Sequence, residues 1–346
     1  MTNDHTTRTD PAPSGDRVDT TRLQHMARAY TESALLWAGL DLGVFTAVAE
    51  GARDNDTLAA ACSISRLNAD RLVSCLLGLD LLRLGDHGEL VNAPDAEKFL
   101  VRGGPRYAGP WMRFTRPDVP GWMNLSELLR SPEPPRPLGM YSDLTVDQAR
   151  TYHQATASIG MGAGRRFART VDLAGRRHLL DLGGGSGAYS IASVQAHPDL
   201  RATVLDLPPV VKVTAEYLAD HEVDDRVDTI GGDFTADPFP DCDVVVMASN
   251  LPIYNEDTIA AVVAKAYGAL APGGEMHLVG EMLNDDGVGP LDAALWGMQE
   301  ILYNSGGKAH TRAQVRGYFE QAGFVDVAEH EFVPGVLVRV TGRRAG

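Results

Sequence analysis

A glycine-rich segment has the residue types that could bind a nucleotide-like ligand. The residues 181–187 read DLGGGSG, follow a strand-like apolar run and open a helical pattern. Without side chains, backbone N–H groups can approach a ligand, and a helix N-terminus favours a negative group. The spacing is G-x-G-x-G rather than G-x-G-x-x-G, and no Gly-Lys-Ser/Thr follows, which excludes a P-loop.

Acidic residues follow the ends of the next predicted strands. Asp206 stands in LDLP, where a carboxylate can accept hydrogen bonds from both ribose hydroxyls. Asp233 and Phe234 end the third strand, where an acid could take an adenine amino group and the ring could cover its face. Leu207 and Ser249, which also follow strands, complete the predicted cofactor-binding set.

The positioning elements alternate between strand and helix after a helix predicted at 146–171. Further strands are TVLDLP, VDTIGGDF, CDVVVMASN and EMHLVGEML, with a helix at 256–270. Residues 325–331 and 336–340, separated by Pro334-Gly335, predict an antiparallel edge hairpin. The fold class is therefore α/β, a doubly wound, mostly parallel Rossmann-like sheet.

The first hundred residues predict a mainly α domain. A stripe of apolar residues at 35–48 favours a packed helix, followed by a short helix from Asp56, a helix at 66–82 and a hairpin around 85–88. Helix, helix and wing suggest a winged helix used for subunit contact. We predict a disordered tail at 1–20, this domain at 21–100, a Pro-rich linker with substrate-pocket helices at 101–160 and a cofactor-binding domain at 161–346.

Composition excludes several classes of function. The chain has 346 residues, 44% of them hydrophobic, and a net charge of −15 with pI about 5.0, which disfavours nucleic acid and anionic membrane partners. No signal peptide or membrane span is predicted, and no His/Asp/Glu cluster has metal-ligand spacing. The three cysteines are expected to pack, and we predict a cytoplasmic protein.

The ordered series of motifs resembles a known family. DLGGGSG, DLP, GDF, APGGEMHLVGE, GGKAHT and AGF resemble the class I S-adenosylmethionine (SAM) methyltransferases of the caffeate and hydroxyindole O-methyltransferase type, over residues 25–340. The resemblance implies a homodimer, SAM as cofactor and a small-molecule substrate. By resemblance, Asp181, Gly183 and Gly185 hold the amino acid part of SAM, Asp206 the ribose, and Asp233 with Phe234 the adenine.

The chain departs from that family at its catalytic base. Where the family has Leu-His-Asp-Trp, residues 251–254 read LPIY, so Pro252 stands at the position of the base. One family glutamate matches Glu281, but the other falls at Ala309. A lost base typically costs about 10²–10⁴ in rate, although a reactive acceptor can compensate. The substitute bases that we consider are Glu281, His153, His310, Tyr254 and Glu300.

A mixed aromatic and polar set is predicted to bind the substrate. Its members are Trp111, Met112, Phe114, Trp296, Gln299, Glu300, Tyr303, Asn304 and Asn250. The aromatic residues near Trp111 could instead simply pack the linker. Asn250 begins an NLPIY segment similar to the Asn-Pro-Pro-Tyr and Asn-Leu-Pro-Tyr motifs of amino-group methyltransferases, with one extra residue.

Three hypotheses follow. The first is a SAM-dependent methyltransferase acting on oxygen, nitrogen or carbon of a small, aromatic secondary metabolite. The second is an enzyme that binds SAM but catalyses hydroxylation, decarboxylation or cyclisation, because the base is lost while the cofactor motifs remain. The third is a winged-helix regulator with an inactive enzyme domain, which the negative charge disfavours.

Overall fold

The computed structural model describes residues 18–136 and 138–346, so most of the predicted tail lies outside the described residues. The chain divides into two units, Met1–Gly109 and Pro110–Gly346. Among the described residues, no helix is long and apolar enough to cross a membrane.

The first unit is mainly helical, with one short hairpin. Its elements are α1 (Thr21–Arg28), α2 (Tyr30–Leu42), α3 (Val44–Ala49), α4 (Asn55–Ala61), α5 (Arg66–Gly78), β1 (Leu82–Leu84), β2 (Leu90–Asn92) and α6 (Pro94–Leu100). The predicted hairpin is confirmed, since β1 and β2 pair antiparallel. The winged-helix assignment stays a prediction.

Three local predictions in this unit were wrong. The stripe at 35–48 forms two helices, because Gly43 ends α2 in the left-handed region (φ 73°). Helix α5 ends at Gly78 rather than at residue 82, since Asp80 has φ 53° and the amide of Leu81 donates to the carbonyl of Leu76. Cys75 is exposed and does not pack, whereas Cys62 is buried.

The second unit contains the predicted mostly parallel sheet. Its strands are β3 (His178–Leu182), β4 (Arg201–Asp206), β5 (Val227–Gly231), β6 (Cys242–Ala248), β7 (Leu270–Gly280), β8 (Val325–Val333) and β9 (Leu337–Arg343). In the described ranges they are ordered β5-β4-β3-β6-β7-β9-β8. Strands β3 to β7 pair in parallel, and β9 pairs antiparallel with both β7 and β8, which confirms the fold class and the edge hairpin.

The remaining helices and turns begin at Gly109 and alternate with the strands of the sheet from β3 onwards. They are α7 (Gly109–Met112), α8 (Val119–Met123), α9 (Leu125–Leu128), α10 (Val146–Thr170), α11 (Ala188–Ala196), α12 (Pro208–Asp220), α13 (Glu256–Ala269), α14 (Leu291–Gln299) and α15 (Arg312–Ala322), with 3₁₀ turns at Arg116–Asp118, Gly139–Asp143, Leu251–Ile253 and Glu300–Tyr303. A capping box between Thr145 and Gln148 starts α10, which continues through the predicted domain boundary at residue 160.

The strand order reverses between β3 and β6. In an open α/β sheet, ligands bind at this crevice, beyond the carboxyl ends of the strands. The central strands are apolar and buried on both faces; in β3, Leu179, Leu180 and Leu182 are fully covered. This core fixes the loops that follow β3, β4, β5 and β6, which carry the predicted cofactor-binding residues.

Candidate active site

The glycine loop joins β3 to α11 in a backbone conformation that favours glycine. Gly183, Gly185 and Gly187 all have positive φ, at 63°, 56° and 74°. A Cβ at Gly183 would collide with Nδ2 of Asn250, and one at Gly185 would lie 2.5 Å from Cε1 of His153. These positions of the loop therefore accept only glycine, because Asn250 and His153 occupy the space that a Cβ would need.

Asp181 lies beneath this loop. It is 1% exposed, and its carboxylate accepts a 2.8 Å hydrogen bond from the Ser190 hydroxyl. A Cβ at Gly184 would come within 2.6 Å of Asp181 Cγ. Burial raises the pKa of Asp181 to about 7, although the hydrogen bond from Ser190 opposes the shift. The side chain thus supports the loop from below.

Asp206 ends β4 beside the same loop. One carboxylate oxygen accepts from the Gly185 amide at 2.9 Å, and the other accepts from the Leu207 amide at 2.7 Å. Burial raises the pKa of Asp206 to about 6, against the two amide hydrogen bonds, which lower it. Each oxygen keeps a further lone pair, so the carboxylate can still accept hydrogen bonds from a pair of hydroxyls.

Asp233 and Phe234 follow β5. Oδ1 of Asp233 accepts from the amide and hydroxyl of Thr235 at 2.9 and 2.6 Å. The Phe234 ring is buried and meets Tyr254 edge-on, with centroids 5.3 Å apart. Asp233, Thr235 and Tyr254 line one open cleft, which can receive a flat heterocycle.

Asn250 leaves a polar atom without a partner next to the glycine loop. Its Nδ2 donates to the Leu182 carbonyl at 3.1 Å, whereas Oδ1 is buried with no hydrogen-bond partner among the described residues. The side chain is only 7% exposed. The preceding residue, Ser249, has φ 59°, which turns the chain sharply after β6. A ligand amine or hydroxyl would satisfy the buried acceptor.

These features fit the cofactor that the motifs predict. Asp206 keeps lone pairs that suit a ribose diol, and the cleft lined by Asp233 suits an adenine ring. The unpaired acceptor of Asn250 is the kind of group that a bound molecule, rather than the protein, must satisfy.

Four of the five candidate bases, His310, His153, Glu281 and Tyr254, occupy different environments. His310 is 0% exposed, and both its ring nitrogens are used: Nε2 donates to the Tyr254 carbonyl and Nδ1 accepts from Tyr318, each at 2.9 Å. Burial lowers the pKa of His153 to about 4, so this ring is neutral at pH 7. Glu281 follows β7, and burial raises the pKa of its carboxyl. Burial also raises the pKa of the Tyr254 hydroxyl.

A row of aromatic rings leads towards the glycine loop. Trp296 on α14 contacts Trp111 at 6.3 Å between centroids, and Trp111 stacks on Phe114 at 5.3 Å. Phe114 meets Tyr152 edge-on at 5.0 Å, and Tyr152 meets His153 at 5.1 Å. Met112 follows Trp111 at the end of α7. The segment read as a Pro-rich linker therefore provides part of an aromatic wall.

Polar side chains on α14 and the following turn lie beside this row. Gln299 and Tyr303 donate to Asp118 at 3.1 and 2.9 Å, and Gln299 also bonds the Tyr303 hydroxyl at 2.8 Å. Glu300 is buried and accepts from the Ser305 hydroxyl. Asn304 instead bonds the carbonyl of Pro134 at 3.2 Å.

Sequence reasoning missed Tyr141, Tyr152 and Asp118. The Tyr141 hydroxyl donates to Tyr152 at 3.3 Å. Tyr152 stands next to His153 and could have been found from that position. Asp118 and Tyr141 lie in the irregular segment between α7 and α10, where no periodicity assigns a direction to a side chain.

Comparisons with known proteins agree with the motifs. The sequence model of the O-methyltransferase domain family matches residues 140–325. The 3-hydroxy-5-methyl-1-naphthoate 3-O-methyltransferase of Streptomyces sahachiroi is 31% identical over 333 residues, 94% of this chain and 95% of that protein. The N,N-dimethyltransferase OxyT of Streptomyces rimosus is 26% identical over 312 residues, 87% and 90% of the two chains.

A solved structure shares the fold. Human N-acetylserotonin methyltransferase in complex with SAM superimposes with a TM-score of 0.81 at 22% identity, covering 97% of this chain and 100% of that one. Together with the family match, this confirms the resemblance on which the cofactor prediction depended. The chain belongs to the O-methyltransferase family and is a SAM-dependent methyltransferase.

Proposed function

We propose that the enzyme methylates a hydroxyl oxygen of a small, flat aromatic metabolite. The observation that carries this proposal is the aromatic row from Trp296 through Trp111 and Phe114 to Tyr152, which ends at His153 beside Gly185. A wall of aromatic rings favours a flat aromatic ligand that packs against it. The named reaction of the Streptomyces sahachiroi relative, methylation of a hydroxynaphthoate, supports the same substrate class.

We assign the cofactor to the loops at the carboxyl ends of the strands. Gly183 and Gly185 offer backbone to the methionine part, Asp206 accepts the ribose hydroxyls, and Asp233 and Phe234 face the adenine. Leu207 and Ser249 border the same crevice. SAM, when bound, supplies an electrophilic methyl group on a sulfonium. A neutral His153 beside the loop avoids repulsion of this cation.

The acceptor oxygen needs a group that takes its proton, because Pro252 stands where the family has its histidine. Proton transfer by a positioned side chain contributes about 10²–10⁴-fold. His310 has no free ring nitrogen to offer. Glu281 and Glu300 are half-buried and buried carboxyl groups with raised pKa values, and either could serve as base.

A nitrogen acceptor is the second possibility that a specific observation favours. The buried, unpaired Oδ1 of Asn250 could accept a hydrogen bond from an amine. The relative OxyT is named as an N,N-dimethyltransferase. In contrast, a SAM-binding enzyme without methyl transfer has no counterpart among the relatives described above, and neither has a DNA-binding regulator.

Assembly and location stay predictions. We propose a homodimer formed through the first unit, as the family resemblance implies, and a cytoplasmic enzyme. Sedimentation of the purified protein would test the dimer.

Transfer of an isotopically labelled methyl group tests the function. The protein is incubated with methyl-labelled SAM and a panel of 3-hydroxy-5-methyl-1-naphthoate, acetylserotonin and tyrosine, followed by mass spectrometry with fragmentation. We expect the label on a ring hydroxyl oxygen, with stoichiometric demethylated cofactor. Label on nitrogen or carbon alone would overturn the oxygen assignment, and no labelled product would overturn the proposed substrate class.

A further inference from the structure

One face of α14 and the 3₁₀ turn after it carries the residues that approach the aromatic row. Trp296, Gln299, Glu300 and Tyr303 are spaced three and four residues apart, which brings them to the same side of a helix. Trp296 contacts Trp111, and Gln299 and Tyr303 bond Asp118. Glu300 therefore lies on the face that meets the wall of the pocket.

The Glu300 carboxyl is 6% exposed, yet one of its oxygens is left available. Oε2 accepts from the Ser305 hydroxyl, and Oε1 accepts no hydrogen bond from residues 18–136 and 138–346. In the same ranges, no Lys, Arg or His side chain forms an ion pair with Glu300. Burying a carboxylate without a neighbouring cation costs folding free energy. Such carboxylates are concentrated at functional sites, where both the protonated and the ionised form are used.

The charge of Glu300 raises the pKa of hydroxyls on three further elements. These are the hydroxyls of Tyr141 in the 3₁₀ turn Gly139–Asp143, Tyr152 on α10 and Tyr254 after the turn Leu251–Ile253. The Tyr152 hydroxyl also lies within reach of the charges of Asp206 and Glu281. Glu300 thus shares one neighbourhood with the ribose-binding acid and with the end of the aromatic row.

We propose that Glu300 is the general base that removes the proton from the acceptor hydroxyl. This inference rests on the proposed oxygen methylation. The acceptor O–H bond breaks and its proton passes to Oε1 of Glu300. The oxygen forms the new O–C bond with its electron pair, and the S–C bond of the sulfonium breaks, which leaves neutral demethylated cofactor. The protonated carboxyl then releases its proton to solvent with the product.

The environment of Glu300 suits a base that works near neutral pH. Burial raises the pKa of Glu300 to about 7, with the Ser305 hydrogen bond opposing the shift. The pKa values of Tyr141, Tyr152 and Tyr254 are raised, mainly by burial, so these hydroxyls stay protonated in this range. His153, with a pKa of about 4, is too weak a base to compete.

The test compares four variants with the wild type. Glu300→Gln keeps the shape and removes the charge, Glu300→Asp keeps the charge, Glu281→Gln examines the other carboxyl, and Glu320→Gln changes an exposed glutamate on α15. The acceptors are the panel hydroxyarene that the wild type methylates and its dinitro derivative, whose hydroxyl is ionised throughout pH 6–8. Calorimetry with S-adenosylhomocysteine checks that each variant folds and binds cofactor.

We expect Glu300→Gln to lower kcat by about 10²-fold or more and to remove the rise in rate between pH 6 and 8, with S-adenosylhomocysteine affinity unchanged. Glu300→Asp should recover part of the rate and the pH dependence. With the dinitro derivative the loss should shrink to under about tenfold, which a merely structural role would not produce.

Three outcomes overturn the base assignment while leaving oxygen methylation intact. They are a Glu300→Gln rate within about threefold of Glu320→Gln, an equal loss on both acceptors, or the predicted signature in Glu281→Gln instead. Failure of the proposed function is visible in the wild type alone, as absence of label on oxygen, and it removes the base role with it.

Discussion

The imidazole of His153 occupies the space where a side chain on Gly185 would be, since an added Cβ would lie 2.5 Å from Cε1 of the ring. Gly185 also has φ 56°, a conformation that residues with a Cβ rarely adopt. The helix α10 and the glycine loop therefore fit each other only without a side chain at residue 185.

Gly185→Ala should weaken S-adenosylhomocysteine binding by about ten- to hundredfold, because backbone strain and the displaced His153 both disturb the loop. Calorimetry measures the effect. Gly175→Ala is the matched control: its φ is 73°, but nothing lies within 4 Å of the added Cβ. Adding His153→Ala to Gly185→Ala should recover part of the affinity. Equal affinity of Gly185→Ala and the control would contradict the expectation.

Asp206 should make cofactor binding depend on pH. Because burial raises the pKa of this carboxyl to about 6, it is ionised at pH 7 and protonated at pH 5, where it loses part of its capacity to accept from ribose hydroxyls. We expect S-adenosylhomocysteine to bind about tenfold more weakly at pH 5 than at pH 7. In Asp206→Asn the affinity at pH 7 should fall and this pH dependence should largely disappear. A variant that keeps the wild-type profile would disprove the role.

The loops that carry the cofactor residues could be predicted because their signals are local. An apolar strand, a glycine turn and a helix start follow one another within residues 178–190, and acids recur at the ends of β4 and β5. Parallel pairing then brings these ends together without further information.

The acceptor side of the site could not be predicted in the same way. Gln299 meets Asp118 across 181 positions of the chain, and Tyr152 meets Phe114 across an irregular segment. No periodic pattern encodes such contacts. His310 is a case in which the sequence suggested a role that packing rules out. Its position beside the GG turn suggested a base, but its hydrogen bonds to Tyr254 and Tyr318 occupy both ring nitrogens.

Asp181 should lower stability at high pH. Its pKa is about 7 in the folded chain against an ordinary value of 3.8, so the native state binds the proton more tightly and stability falls as pH rises from about 4 to about 7. Asp181→Asn keeps an acceptor for Ser190 and removes the charge. We expect a gain of about 1–3 kcal/mol in the free energy of unfolding at pH 8 and little change at pH 4.

Urea unfolding at fixed protein concentration measures this difference. Asp220→Asn, on an exposed position of α12, controls for loss of a carboxylate and should show no such pH dependence. A loss of stability in Asp181→Asn that is equal at pH 4 and pH 8 would mean that the hydrogen bond, rather than the buried charge, dominates.

The aromatic row should control acceptor affinity without affecting the cofactor. Trp296→Ala removes the ring that contacts Trp111 and, with it, part of the wall against which a flat substrate stacks. Since an aromatic contact contributes about 0.5–1.5 kcal/mol beyond burial, we expect KM for the methylated panel acceptor to rise about tenfold. S-adenosylhomocysteine affinity should be unchanged. Leu295→Ala, at an exposed neighbouring position of α14, is the matched control. If both variants raised KM equally, a general loosening of α14 would explain the result, and the row would not be the acceptor site.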